Sequence, residues 1–352
     1  MTRKPALAVV GATGAAGGEL LQILSRHEDI WGEIRLISSP RSAGRKLAVR
    51  GEECVVLGLD EEALRGCDVV LFLAPEEICA RWAPVAVSLG AVAVDGSGAF
   101  RLDPDVPLVV PELNPHALRI RPRGIVASPH DTTLTLLPAI GALHAAFGLR
   151  ELVISSYQAA SGAGRGAMAA LRAQLALVAG TELGTATGDL RRAVGEAGTG
   201  PLPAPLALNV VPWTGTVRPG GWSSEELGLR EETRKVLGLP ELKVAATCVR
   251  VPVLTAHSLT VHARFEDEVT VARAHEILAT SPGVVLYDEP ALGDFPTPAD
   301  VVGTDPTWAG RVRRAPDDER ALDLFLCADN LRQGAALNAV HIAETVAAEF
   351  PR

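Results

Sequence analysis

The chain has 352 residues, of which 47% are hydrophobic and 21% charged, and its formal net charge is −9 at pH 7. This composition indicates a globular protein of two domains and excludes a largely disordered chain. The negative charge argues against nucleic acid or an anionic membrane as the main partner. Because no apolar run has the length of a signal peptide or a membrane span, we expect a cytoplasmic protein.

Short apolar runs alternate with amphipathic stretches in the first part of the chain, which predicts a parallel, doubly wound sheet. The predicted strands are 6–10, 33–37, 68–74, 91–95 and 108–110, with helices at 18–27 and 78–90. The stretch 126–143, VASPHDTTLTLLPAIGAL, indicates a strand end, a turn at 128–130 and a helix from Thr132. Asp131 would then be the N-cap of that helix.

Longer strands begin at Glu151 and predict a second, α+β domain with an antiparallel or mixed sheet. Its predicted strands are 152–158, 243–254 and 258–265, its helices are 166–180 and 270–281, and a loop rich in proline and glycine covers 198–221. The segment 330–350 has helical periodicity, and we expect it to return to the first domain.

The glycine-rich stretch 11–18, GATGAAGG, follows a strand and opens a helix, which is the context of a dinucleotide-binding fingerprint. Gly11 permits a tight turn, Gly14 lets the backbone approach a pyrophosphate, and Gly17 allows close helix–sheet packing. The N–H groups of the helix N-terminus then face the phosphates. The candidate cofactor-binding residues here are Gly11, Thr13, Gly14, Ala15 and Gly17.

The segment 38–46, SSPRSAGRK, stands where NAD enzymes carry an acid for the ribose 2′-hydroxyl. It contains no acid, but it has serines and three cations, a composition that suits a 2′-phosphate. The sequence therefore favours NADP over NAD, with Ser39, Arg41 and Ser42 as the candidate ligands. A solvated basic turn is the alternative.

The five cysteines, at positions 54, 67, 79, 248 and 327, are scattered along the chain. They form no CxxC pair and no spacing with histidine that is typical of a metal site. We therefore expect no metal and no disulfide framework, which fits a reducing, cytoplasmic compartment.

Several longer stretches resemble aspartate-semialdehyde dehydrogenases in order and spacing, from one end of the chain to the other. They are AFRLDPDVPLVVPELNP, SSYQAASGAGRGAM, EETRKVLGLPELKVAATCVRVPVLTAHS, GDFPTPADVVGTDP and DNLRQGAALNAVHIAE, together with GATGAAG and SSPRSAG. The resemblance implies an NADP-binding Rossmann-type domain at 1–130 and 330–352, and a substrate-binding and dimerisation domain at 131–329. It also implies a homodimer, with a tetramer as the alternative.

The family reduces β-aspartyl phosphate with NADPH through a cysteine thioacyl intermediate, and the resemblance implies roles for matching residues. Gln158 would position the intermediate, and His257 would serve as the acid/base. The implied substrate-binding residues are Arg101 on the phosphate side, Arg250 for the α-carboxylate, and Glu225. The implied cofactor-side residues are Ser161, Gly162 and Asn330.

The sequence departs from the family's pattern where the chemistry takes place. Pro-Asn-Cys reads Pro-His-Asp, so that His130 and Asp131 stand in place of the asparagine and the nucleophilic thiol. A phosphate-binding lysine is replaced by Gly228, the Gly-Gly-Ser loop reads Pro-Glu-Glu at 75–77, and Gly-His-Ser-Glu reads Ala-His-Ser-Leu at 256–259. The usual phosphorylating acyl transfer is therefore not expected.

Two interpretations of Asp131 stay open. In the first, the thiol has been lost and Asp131 is only a helix cap, since aspartate caps helices well. In the second, Asp131 is a catalytic residue. A helix N-terminus stabilises the carboxylate anion, but a carboxylate is a poor nucleophile and its acyl product would be an anhydride. In the catalytic interpretation, His130 and His257 surround a nicotinamide with Asp131, and a histidine acts as general acid without covalent catalysis.

We predict an NADP-dependent oxidoreductase that uses no thiol and acts on a small aspartate-related carbonyl or imine compound with a carboxylate and an amino group. The alternatives are a nonredox enzyme that reuses the carboxylate site and a catalytically silent, NADP-binding paralogue. Retention of Gln158, Arg250 and His257 favours a site still in use. The acidic loop at 75–77 favours the silent paralogue, because it adds negative charge near the cofactor.

Overall fold

The computed structural model describes residues 3–350, which form two compact units. The first unit comprises residues 3–134, 231–240 and 332–350 of this range, and the second comprises Thr135–Arg230 and Glu241–Leu331. The sequence assigned 131–329 to one domain, but the structure groups 231–240 with the first unit.

The first part of the chain alternates strands with helices. In chain order its elements are β1 (Leu7–Val10), α1 (Ala15–Leu24), β2 (Ile34–Ser38), β3 (Lys46–Val49), β4 (Glu52–Val55), β5 (Leu57–Gly58), α2 (Glu61–Leu64), β6 (Val69–Phe72), α3 (Glu76–Ser88), β7 (Val92–Asp95) and β8 (Ile125–Ala127). A 3₁₀ turn at Pro40–Ser42 follows β2.

The remainder of the chain has longer strands. Its elements are α4 (Asp131–Phe147), β9 (Leu149–Gln158), α5 (Gly164–Val178), α6 (Asp189–Val194), α7 (Ser224–Leu237), β10 (Lys243–Arg250), β11 (His257–Phe265), α8 (Val271–Thr280), β12 (Val284–Leu286), α9 (Pro298–Val301), β13 (Thr307–Ala315), β14 (Asp318–Ala328), a π-helical segment (Arg332–Leu337) and α10 (Asn338–Ala347). Within residues 3–350, no helix is long and apolar enough to cross a bilayer.

The first unit contains a six-stranded sheet in the order β5-β2-β1-β6-β7-β8, in which every pair is parallel. All residues of β1 and β6 are buried, as in a sheet covered on both faces. Apolar side chains of α1 and α10 join β1 and β6 in one core cluster. The predicted Rossmann-type fold is confirmed.

The second unit contains a mixed sheet in the order β10-β9-β11-β14-β13-β12. The two outer pairs are parallel and the three inner pairs are antiparallel, which confirms the predicted mixed sheet. On β9, Leu152 and Ile154 are buried, whereas Val153 and Tyr157 are 45% and 37% exposed. One face of this sheet is therefore solvent-accessible in the single chain.

Two predicted strands differ from the structure. The run 108–110 is buried but makes only one bridge, between Leu108 and Ala127, and the N–H of Val110 donates to the side chain of Asn114 instead of a strand. The strand predicted to reach residue 254 ends at Arg250, because a proline follows at 252 and cannot donate to a sheet ladder.

Candidate active site

The turn between β1 and α1 requires glycine at two positions. Gly11 has a φ of +95°, and a Cβ there would lie 2.1 Å from the carbonyl oxygen of Leu73. A Cβ on Gly17 would lie 2.3 Å from the carbonyl oxygen of Gly11. Gly14 precedes α1, whose first residue is Ala15 and whose first turn has no acidic side chain. This turn suits the approach of a pyrophosphate.

Hydroxyl groups lie beside this turn at the carboxyl end of β2. Thr13 Oγ1 is 2.7 Å from Ser38 Oγ and 3.5 Å from Ser42 Oγ. Ser39 and Arg41 are both exposed, at the 3₁₀ turn that follows β2. A basic side chain and several hydroxyls, without an acid, fit a phosphorylated ribose better than a free one.

The acidic loop Pro75-Glu76-Glu77 forms the beginning of α3. Glu76 and Glu77 lie in the first turn of this helix and are exposed. Carboxylates at this end of a helix offset its positive dipole end, so the two charges stabilise α3. Glu76 also borders the loop after β7, since a Cβ on Gly98 would lie 2.0 Å from its Oε1.

His130 and Asp131 form a close pair at the beginning of α4. The helix begins at Asp131 itself, one residue earlier than predicted, so Asp131 is its first residue and not its cap. Asp131 Oδ1 is 2.8 Å from His130 Nδ1 and accepts the N–H of Thr132 at 2.8 Å. A Cβ on Gly334, in the π-helical segment, would lie 2.5 Å from the Cβ of Asp131.

Glu232 holds this turn from α7, and sequence reasoning missed it. Its Oε2 accepts the N–H of His130 at 2.7 Å and the hydroxyl of Thr133 at 2.9 Å, and its side chain is only 4% exposed. Leu229, Glu232 and Val236 are all buried on α7. A carboxylate at an otherwise apolar helical position was the signal that could have identified it.

Arg101, the predicted phosphate-side arginine, has partners inside the first unit. Its Nε and Nη2 donate to the carbonyl oxygens of Ser128 and Gly96, each at 3.0 Å. Its Nη1 lies 3.6 Å from Glu232 Oε1, and the side chain is 12% exposed. In this arrangement Arg101 supports the turn that carries His130.

The second unit brings Gln158, Arg250 and His257 to one end of its sheet. Gln158 and Arg250 are paired in register at the ends of β9 and β10, and β11 begins at His257. A Cβ on Gly162 would lie 2.5 Å from Arg250 Nη1 and 3.0 Å from His257 Nε2. The two side chains therefore converge on Gly162, which their spacing of seven residues could not establish.

Ala159 fixes both of these side chains through its backbone. Its carbonyl oxygen accepts from Arg250 Nη1 at 2.7 Å, and its N–H donates to His257 Nδ1 at 3.2 Å. Since Nδ1 accepts this hydrogen bond, the neutral imidazole of His257 carries its hydrogen on Nε2. His257 therefore presents a donor on the side of Gly162.

Asn330 joins two loops of the second unit. Its Oδ1 accepts the hydroxyl of Ser161 at 2.7 Å and the N–H of Ala256 at 3.1 Å. Ser161, Ala256 and Asn330 are all buried. The amide thereby fixes the residue that precedes His257.

Glu225 and Gly228 both lie on α7. Glu225 is half-buried in its first turn, and Gly228 is half-buried one turn later. The neighbouring Glu226 accepts the N–H of Ser223 at 2.9 Å, while the hydroxyl of Ser223 accepts the N–H of Glu226 at 3.2 Å. This reciprocal capping box fixes where α7 begins.

None of the thiols is poised as a nucleophile. All five cysteines are free, and burial raises the pKa of each one. The pKa values of Cys79, Cys248 and Cys327 rise to about 12. Because the thiolate is the reactive form, these side chains are inert at neutral pH.

Ala256 has a strained backbone, with a φ of +80°. We predict that Ala256→Gly reduces the free energy of unfolding much less than the control variant Ala263→Gly. Ala263 lies in β11, is as buried as Ala256 and has no positive φ. Glycine relieves strain of about 1–3 kcal/mol at position 256, which offsets the lost methyl burial and the added chain entropy. Urea denaturation should separate the variants by at least about 1 kcal/mol; equal losses would contradict the strain.

Comparisons with known proteins agree along the whole chain. Residues 6–120 match the NAD binding domain of semialdehyde dehydrogenases, and residues 140–333 match their dimerisation domain. Aspartate-semialdehyde dehydrogenase of Corynebacterium glutamicum is 42% identical over 345 residues, which cover 96% of this chain and 98% of the relative. The Bacillus subtilis enzyme is 36% identical over 346 residues, with 97% and 96% covered.

Solved structures show the same similarity. Aspartate semialdehyde dehydrogenase II from Vibrio cholerae, complexed with ASA, has a TM-score of 0.88 at 32% identity and covers 99% of this chain and 100% of its own. The Candida albicans enzyme with NADP has a TM-score of 0.71 at 22% identity, covering 97% and 98%, and shows the shared fold. The chain therefore belongs to the aspartate-semialdehyde dehydrogenase family.

Proposed function

We propose that the protein is an NADP-dependent oxidoreductase that acts on a small aspartate-related carbonyl or imine compound without a thioacyl intermediate. The observation that carries the proposal is Asp131 at the first residue of α4, where the resemblance implies a nucleophilic thiol. The absence of a substitute nucleophile is supported by the other thiols: burial raises the pKa values of Cys79, Cys248 and Cys327 and keeps these side chains protonated. Free thiols also support a reducing, cytoplasmic location.

Arg250 and His257 support a substrate with a carboxylate. A guanidinium binds a carboxylate well, and the Nε2–H of His257 can donate to a carbonyl oxygen. Both side chains border Gly162, which leaves room because it has no Cβ. The V. cholerae relative was solved with ASA, and the curated relatives bear the name of that substrate. An anionic Asp131 favours a substrate with a cationic amino group or an iminium.

The β1–α1 turn and the hydroxyls after β2 support NADP as the cofactor. Gly11, Gly14 and the N-terminus of α1 would hold the pyrophosphate, and Ser39, Arg41 and Ser42 would hold the 2′-phosphate. When bound, the nicotinamide would supply or accept the hydride. Ser161, Gly162 and Asn330 belong to the second unit and are proposed to face the cofactor.

We expect NADPH to bind more tightly than NADH. One charge-assisted contact to the 2′-phosphate contributes roughly 1.5–3 kcal/mol, which is about tenfold to a hundredfold in Kd. Arg41→Ala should remove most of this preference, whereas Arg45→Ala, in the same exposed segment, should change it less. Fluorescence titrations with both nucleotides measure the ratio. Equal affinities in the wild type would contradict the NADP assignment.

A turnover screen distinguishes the three functions. The proposal expects consumption of NADPH with aspartate-derived carbonyl or imine compounds in the absence of phosphate. Tight NADPH binding without turnover of any compound would support the silent paralogue. Product formation without a change in NADPH would support a nonredox enzyme that reuses the carboxylate site.

We also propose a homodimer through the exposed face of the second sheet. Val153, Tyr157 and Thr260 are exposed on adjacent strands there, and the matching family region is a dimerisation domain.

Light scattering at micromolar concentration should give the mass of a dimer. Val153→Asp should shift it toward the monomer, because a charge in an apolar contact is costly. Ile120→Asp, at a 77% exposed residue of the first unit, is the matched control and should leave it unchanged; a monomeric wild type would refute the proposal.

A further inference from the structure

Ala256 ends the ladder between β11 and β14 just before His257. The last register pair at this end joins His257 to Ala328, and the φ of Ala256 is +80°, so its backbone does not continue the strand. Its N–H donates instead to the side chain of Asn330, at 3.1 Å from Oδ1. A side chain two residues beyond the end of β14 therefore takes the place of a backbone partner.

The same oxygen holds the turn that carries Gly162. Asn330 Oδ1 accepts the hydroxyl of Ser161 at 2.7 Å, and Ser161 immediately precedes Gly162. The backbone N–H of Ser161 donates to the carbonyl oxygen of Leu254 at 3.0 Å, so the two loops also contact each other directly. One amide oxygen thus joins the residue before Gly162 to the residue before His257.

These contacts set the space beside His257. An ideal Cβ on Gly162 would lie 3.0 Å from His257 Nε2 and 2.5 Å from Arg250 Nη1, so a small displacement of either loop changes the room between them. Asn330 and Ala256 are 1% and 0% exposed, which gives water little access to their hydrogen bond. A buried N–H that lost this acceptor would therefore cost free energy.

The backbone conformation of Ala256 needs this support. A residue with a Cβ rarely adopts a positive φ, and such a conformation persists only where neighbouring groups impose it. Asn330 holds the N–H of Ala256, and the next residue in the chain is His257. Without the amide, Ala256 would relax toward a negative φ and would displace the imidazole.

We infer that Asn330 is a positioning residue for His257, because its Oδ1 holds Ala256 at a positive φ and thereby fixes where the imidazole lies beside Gly162. This role differs from a contact with the cofactor, since it acts through the backbone of the second unit. Its effect on turnover rests on the proposed function, in which His257 donates to the substrate.

Nitrogen-15 NMR of histidine-labelled protein tests the positioning without cofactor, substrate or turnover. Spectra are recorded at about pH 8, where histidine is ordinarily neutral, and His257→Gln identifies the signal of His257 by its disappearance. The wild type should show the Nε2–H tautomer, because Ala159 donates to Nδ1 at 3.2 Å. Asn330→Ala should give a mixture of both tautomers, because a displaced imidazole loses that hydrogen bond.

Ala256→Gly in the Asn330→Ala background should restore most of the Nε2–H tautomer. Glycine adopts a positive φ without steric cost, so the backbone keeps its path without the amide. Ala263→Gly in the same background is the matched control and should restore nothing, since Ala263 is as buried as Ala256 but has no positive φ. Ser161→Ala removes only the other hydrogen bond to the amide oxygen and should keep the wild-type tautomer.

Two results would overturn the inference. One is a wild-type tautomer ratio in Asn330→Ala, and the other is equal recovery with Ala256→Gly and Ala263→Gly. Amide spectra check the fold of each variant. If Asn330→Ala gives no folded spectrum, the same two changes still decide: Ala256→Gly should restore folding and Ala263→Gly should not, and the absence of a difference would contradict the positioning role.

Kinetics with a substrate found in the screen tests the consequence for the reaction. Asn330→Ala should lower kcat by at least about tenfold, and Ala256→Gly in that background should raise it again by about threefold or more. Ala256 is fully buried, and glycine there replaces no contact to the nucleotide, so recovery separates positioning from cofactor binding. No recovery would refute the inference and leave the proposed function standing. A wild type without any turnover would refute the proposed function, while the tautomer ratios would still decide the positioning.

Discussion

Phosphate-dependent oxidation of aspartate semialdehyde should be undetectable, or at least about a thousandfold slower than in a relative with a cysteine nucleophile. Asp131 offers no thiolate at the start of α4, and burial keeps the other thiols protonated. The negative charge of Asp131 would also repel the phosphate. The measurement is NADPH formation with semialdehyde and phosphate, with the C. glutamicum relative as the positive control.

Asp131→Cys should recover little of this activity. The new thiol would lie beside His130, where the family has an asparagine. The site would also still lack the phosphate-binding ammonium group, because Gly228 replaces the family's lysine. Groups that act as one catalytic unit are strongly non-additive, so one restored member is not enough. The triple variant Asp131→Cys, His130→Asn and Gly228→Lys should exceed the single variant by at least about tenfold. Robust activity of the wild type would contradict the thiol-free chemistry.

The fold was predictable because both sheets leave a direct pattern in the sequence. A parallel strand that is buried on both faces, such as β6, is a continuous apolar run, and a glycine-rich turn before a helix marks the first crossover. The second domain is visible where the strands become longer. The segment 108–110, which was predicted as a strand, is also apolar and buried. It is not a strand because it forms only a single bridge with a neighbouring strand, and an apolar pattern cannot show this.

The site was predictable only in part. The resemblance implied roles for Gln158, Arg250 and His257, and these roles stay predictions. That the three residues lie at one end of the sheet depends on strand register, which spacing along the chain does not give. The tautomer of His257 depends on the backbone N–H of Ala159, a contact that its position in the sequence does not give. The apolar pattern of α7 could have marked Glu232 as a buried carboxylate, but its partner His130 is remote in the sequence and follows only from a tertiary hydrogen bond.

The largest stability effect is expected at Glu232. Glu232→Ala should lower the free energy of unfolding by about 3–5 kcal/mol, because removing one partner of a buried ion pair leaves the other charge uncompensated. Arg101 would lose its carboxylate, and the N–H of His130 and the hydroxyl of Thr133 would lose their acceptor. Urea denaturation of the full chain measures the loss.

Two further variants separate the charge of Glu232 from its hydrogen bonds. Glu232→Gln keeps an oxygen that can accept the N–H of His130, but it leaves Arg101 without an anion. Its free energy of unfolding should therefore lie between those of the wild type and Glu232→Ala. Glu231→Ala removes the neighbouring carboxylate, which is 39% exposed and pairs with Arg234 at 3.3 Å. A pair on the surface contributes little, so this control should lose no more than about 1 kcal/mol. If Glu232→Ala were as mild as Glu231→Ala, the carboxylate would not be holding the turn that carries His130 and Asp131.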